Sequence, residues 1–224
     1  MLGWWIFFDL RKRGKMKSWI MCFLVLSTVY GQSAHPQAKA ASQGTPQASE
    51  EQAVLVKFAN ARNVFYTRTF FNAGTIQAEW GQSIAISGLF ISRPLTGNSS
   101  AAGVQITVNS HDRFSDTLSK TVDHVSYIDD DEIENLNKAL SYMKDVAQKW
   151  SASAPPQYTE MTFSGRSDFQ CGLFYSDKEG PLFFVLASPD QRDMVSISWQ
   201  QIDTFAQMVN SAASSARAEL SAKK

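Results

Sequence analysis

The sequence predicts an α+β fold: two antiparallel strand-meander units, each followed by one amphipathic helix packed on the sheet, with an internal duplication. Three observations predict it. Short runs rich in aromatic and β-branched residues alternate with turn residues, first from Val54 to Ile128 and again from Tyr158 to Ile197. Each series runs into an apolar stripe of helical period behind a capping residue. The two stripes superpose at a constant offset of 69 residues, Asp129 on Ser198, Glu132 on Gln201, Ile133 on Ile202, Leu136 on Phe205 and Leu140 on Val209.

Ahead of these units the chain opens with Arg11, Lys12, Arg13, Lys15 and Lys17, followed by the apolar run Trp19 to Tyr30 and small residues at Gly31, Ser33 and Ala34. That order is a secretory signal peptide over residues 1–31, with cleavage after Gly31 or Ala34 and an alternative translation start at Met16. Its apolar run falls short of the roughly 18 residues that span a bilayer, so no membrane span is expected after cleavage. Cys22 lacks the small-residue context of a lipid attachment site. The expected location is outside the cytoplasm, periplasmic or secreted. Residues 32–52, rich in Ala, Gln, Ser and Pro, cannot bury enough apolar surface to offset ordering and read as a tether that includes His35.

In the first unit, residues 53–152, strands are expected at Val54–Phe58, Val64–Phe71, Thr75–Trp80, Ile84–Ile91, Gly103–Val108 and Val122–Ile128. Turns fall at Asn72-Ala73-Gly74 and Gly81-Gln82. Asp129 then caps a helix with Glu132 three residues on, and Pro155-Pro156 marks a joint. The second, shorter unit, residues 157–224, has strands at Tyr158–Phe163, Phe169–Tyr175, Pro181–Ala187 and Val195–Ile197. Ser198 and Gln201 form a second capping box ahead of the last helix.

The chain carries 21 Lys plus Arg against 21 Asp plus Glu, with 44% hydrophobic and 19% charged residues. This is the composition of a folded globular protein and excludes a disordered or collagen-like chain. Two cysteines exclude a disulfide scaffold. Loss of residues 1–34 removes five basic residues and one acidic residue, leaving a mildly acidic chain poorly suited to attract phosphate backbones.

The acidic run Asp129-Asp130-Asp131-Glu132 could supply carboxylates to a hard cation, but consecutive residues at a helix start diverge, and carboxylates there favour the helix dipole. Capping is the expected role, and no metal or cofactor is expected. Cys171, between Phe169 and Leu173, reads as a buried structural thiol; the alternative is a thiol or hydrolytic enzyme pairing it with His111 or His124. Ser164-Gly165-Arg166-Ser167 joins strand to strand and is no nucleophile elbow. Asn98-Ser99-Ser100 matches a glycosylation acceptor. Aromatic residues crowd the strands, and arginines lie at or near them. Arg62, Tyr66, Arg68, Arg93, Arg166 and Tyr175 are therefore the expected binding residues, for a protein or small ligand.

A strand meander followed by a helix, twice over, resembles in element order the Whirly- and Pur-type single-stranded nucleic-acid-binding domains. That likeness implies nucleic-acid binding, which export and net acidity oppose. The expected function is a non-catalytic binding or structural protein of the envelope or extracellular space.

Overall fold

The computed structural model describes residues 52–95, 99–111, 121–188 and 194–223. In chain order its elements are α1 (Val54–Ala59), β1 (Thr67–Gln77), β2 (Ser83–Arg93), β3 (Ser99–His111), β4 (Thr121–Asp129) and α2 (Ile133–Ala152), then β5 (Glu160–Ser164), β6 (Gln170–Ser176), β7 (Gly180–Leu186), β8 (Val195–Ser198) and α3 (Ile202–Ala222). Strands β1 to β4 form one antiparallel sheet in sequential order, and β5 to β8 form a second. The class is α+β, two four-stranded meanders each followed by a helix. The signal segment, His35, Asn98 and nearly all of the linker lie outside the described residues.

The offset of the two halves holds in three dimensions. A single 3-10 turn joins strand to helix in each, Asp130–Glu132 before α2 and Trp199–Gln201 before α3. All five buried residues of α2 (Ile133, Leu136, Leu140, Met143 and Ala147) have buried counterparts in α3, namely Ile202, Phe205, Val209, Ala212 and Ala216. This correspondence is what a duplication leaves behind.

Each stripe does cover a sheet, but the sheet belongs to the other half. Helix α3 lies across β1, β2 and β3, and α2 lies across β5, β6 and β7. The helices run antiparallel where they meet. Asn137 pairs with Asn210 at 2.8 Å, and two turns further along α2, Lys144 reaches Asp203 two turns back along α3 at 2.6 Å. One apolar core therefore draws on both sheets and both helices, from Ile84, Ile106 and Ile128 through Leu136 and Leu140 to Leu173, Phe183 and Phe205. Small residues bring α3 close to its sheet. A Cβ on Gly88 of β2 would run into the carbonyl oxygen of Ala212, so only glycine lets the helix backbone sit there.

Three local expectations change. Val54–Phe58 is helix, not strand; of that helix only Leu55 is buried, and contacts at both its ends override the β-propensity of its valines. The two strands expected around Asn72-Ala73-Gly74 are one strand, β1, with a bulge between Asn72 and Gly74. The bulge shifts the alternation by one, so that Ile76 turns into the core while Phe70 and Asn72 face outward. The second capping box does not form, because the Ser198 hydroxyl bonds the Gln200 side chain instead. The first does form, with Glu132 Oε2 accepting from the Asp129 N–H at 3.0 Å.

Candidate functional site

The outer face of the first sheet, turned away from α3, can be read from the register. Phe70 lies opposite Leu89, Leu89 opposite Gly103, and Gly103 opposite Asp129. Alternation then places Ser87 and Ala85 of β2, Ala101, Gln105 and Thr107 of β3, and Tyr127 and Val125 of β4 on that face. The face divides in two. Around Leu89, Ile91 and Ala101 it is apolar and covered by α1, whose Leu55, Phe58 and Ala59 pack there with Tyr66 and Tyr127. Beyond α1 it is open. Phe70 is 51% and Val125 44% exposed, flanking half-buried Ser87, Gln105 and Thr107.

A helix of six residues has little stability of its own, so α1 depends on its contacts. Asp129, 3% exposed at the end of β4, accepts from the first two N–H groups of the helix, Oδ2 from Val54 at 2.6 Å and Oδ1 from Leu55 at 2.9 Å. Leu55 enters a pocket that exists because residue 103 is glycine; a Cβ there would stand 2.6 Å from Leu55 Cδ1. At the other end, Arg68 donates to the Ala59 carbonyl at 3.1 Å and Arg93 to the Lys57 carbonyl at 3.2 Å. The Arg93 guanidinium lies 4.1 Å from the Phe58 ring centroid, and that of Arg68 lies 4.8 Å from the Tyr66 ring. Carboxylate at the N-terminus and guanidinium groups at the C-terminus match the polarity of the helix dipole.

Three of the six expected binding residues, Tyr66, Arg68 and Arg93, thus gather around α1. Arg62 is exposed in the α1–β1 connection of the same region. The remaining two lie elsewhere. Arg166 sits in the β5–β6 turn against the acidic run. It pairs with Asp131, approaches Asp129 Oδ2 at 3.4 Å and Glu132 Oε1 at 3.6 Å, and its backbone N–H donates to Glu132 Oε1 at 2.8 Å. Burial works against its charge, but the hydrogen bond to Asp131 and the charges of Glu132, Asp131 and Asp129 together raise its pKa. Tyr175 stacks edge-on with Trp150 of α2, centroids 6.4 Å apart.

Every member of the acidic run has a partner within the fold, for Asp130 pairs with Arg217 of α3. The run ties together α1, the β5–β6 turn and α3. Ser167 of that turn also closes the edge of β4, its hydroxyl accepting from the Tyr127 N–H at 2.9 Å. Cys171 is wholly buried in the shared core, and burial pushes its thiol far up. His124 is half-buried on β4 opposite Val108, and the His111 side chain lies outside the described residues.

Local sequence marks Asp129 only as a helix cap and Gly103 and Phe58 only as strand residues; that all three hold α1 in place emerges from the tertiary contacts. Acidity ahead of an apolar stripe was the available signal for Asp129; its second use needs the tertiary contact. Among the described residues no helix is long and apolar enough to cross a membrane. Comparison of the chain with protein-family models, with curated proteins and with solved structures gives no match.

Proposed function

We propose that the chain is an exported, non-catalytic binding or structural protein of the cell envelope or extracellular space, acting through the open half of the first sheet's outer face. The observation that carries this reading is how the chemistry is distributed. The acidic run and Arg68, Arg93 and Arg166 are engaged inside the fold, and Cys171 is enclosed by the core. What faces outward is a pleated surface of hydroxyl and amide side chains between Phe70 and Val125. A buried neutral thiol is a poor nucleophile, which weighs against the thiol-enzyme reading.

Binding of the purified mature chain to isolated envelope fractions tests the proposal, with F70S and V125S compared against wild type. Exposed positions cost little stability when changed, so both variants are expected to unfold like wild type and to bind at least several-fold more weakly. Binding that is indifferent to both variants, or substrate turnover abolished by C171A, would sink it. The same preparation, expressed with its leader, is expected to start after Gly31 or Ala34. Salt-sensitive retention on a polyphosphate matrix would support instead the nucleic-acid role implied by the Whirly- and Pur-like element order.

A further inference from the structure

We propose that α1 is a detachable strap: it closes over the apolar half of the first sheet's outer face, and its release joins that half to the open half as one continuous surface. The proposal rests on the reading that this face is where the protein binds. It stands on four contacts already described. The strap is too short to persist by itself. One side chain, Leu55, fills a pocket that the absent Cβ of Gly103 leaves open. Asp129 holds the first two N–H groups, and Arg68 and Arg93 hold two carbonyls near the last turn.

Nothing in α1 belongs to the shared core. Its apolar side chains Leu55, Phe58 and Ala59 form a separate cluster with Leu89, Ile91, Ala101, Tyr66 and Tyr127, on the side of the sheet away from α3. Lifting α1 therefore leaves the main core, both long helices and all eight strands in place. What it bares is Leu89, Ile91 and Ala101, in line along β2 and β3 with half-buried Ser87 and Gln105 and beside the exposed Phe70 of β1. A binding partner with an apolar flank would gain that strip only in the open state, so the strap sets a threshold for binding. Asn63, in the connection to β1, already adopts a left-handed backbone (φ 58°), a conformation asparagine tolerates in a turn.

Amide hydrogen exchange on the full-length mature chain tests this directly. The amides of Val54 to Ala59 are expected to exchange through a local opening, at least a hundredfold faster than those of β2 and β3. D129N removes the charge that holds the first turn and is expected to speed exchange of Val54 and Leu55 roughly tenfold, leaving β2 and β3 unchanged. R68A loosens the exposed C-terminal end with the same signature, so the test survives if D129N does not fold. Exchange of α1 only together with β2 and β3, in wild type and in R68A, would overturn the strap. Local opening without any effect of F70S or V125S on envelope binding would leave the strap standing and defeat the proposed function of the face.

Discussion

Cys171 shows how a single residue reports on the fold around it. Its flanks, Phe169 and Leu173, were enough to read burial from the sequence, and the thiol lies fully enclosed among residues of both halves. Burial raises the folded thiol's pKa, whereas the unfolded thiol ionises near about 8.5. The contribution of the neutral buried thiol is therefore complete below about pH 8.5 and is lost as pH rises, because the unfolded state releases a proton that the folded state keeps. The slope is about 1.4 kcal/mol per pH unit. Denaturant titrations between about pH 8 and 10 should show this loss in the mature chain and not in its C171A variant. A thiol reagent should modify Cys171 at the rate of unfolding; reaction at the rate of a free cysteine would contradict its burial. The arginines were legible only as arginines. Arg93 and Arg217 find partners distant in sequence, the Lys57 carbonyl and Asp130, and no local pattern announces such pairs.

At the scale of elements, the two strand-to-helix joints are a natural comparison. They occupy equivalent positions, yet only the first carries a working box. Asp129 and Glu132 are charged and held by α1 and Arg166, whereas Ser198 turns to Gln200 and Gln201 carries no charge to place at the helix start. Grafting the first joint onto the second as S198D/Q201E should stabilise α3 by about 0.5–1 kcal/mol, read as a higher denaturant midpoint at unchanged slope. No gain would mean that the 3-10 geometry of Trp199–Gln201 excludes the box. Elements with a long, regular period were the readable ones: α2, α3 and the strands β2, β3 and β7 lie where alternation and stripe place them. Misreadings fell where a tertiary contact decides. Val54–Phe58 carries β-branched residues and becomes helix because Asp129 and two arginines hold it so, and Asn72-Ala73-Gly74 looks like a turn but is absorbed as a bulge by pairing with β2.

For the molecule as a whole, the decisive feature is the exchange of helices between the halves. A stripe of period 3.6 states that a helix covers something apolar; it carries no record of which sheet, so this could not be read from the sequence. The consequence is energetic. Without α3, the first sheet would expose Ile84, Ile86, Phe90 and Ile106, and without α2 the second would expose Leu173, Phe183 and Val185. Burying a side chain of this size contributes roughly 1.5–3 kcal/mol, so the loss of three or four is comparable to a domain's whole net stability of about 5–15 kcal/mol. The chain should unfold in one transition, with the calorimetric and van't Hoff enthalpies equal. Fragments 52–154 and 155–224 should each lack cooperative unfolding when separate. Mixed, they should form a one-to-one complex with native near-ultraviolet circular dichroism, because cutting at the Pro155 joint breaks no element. A fragment that unfolds cooperatively as a monomer would show that a sheet can satisfy itself without the borrowed helix.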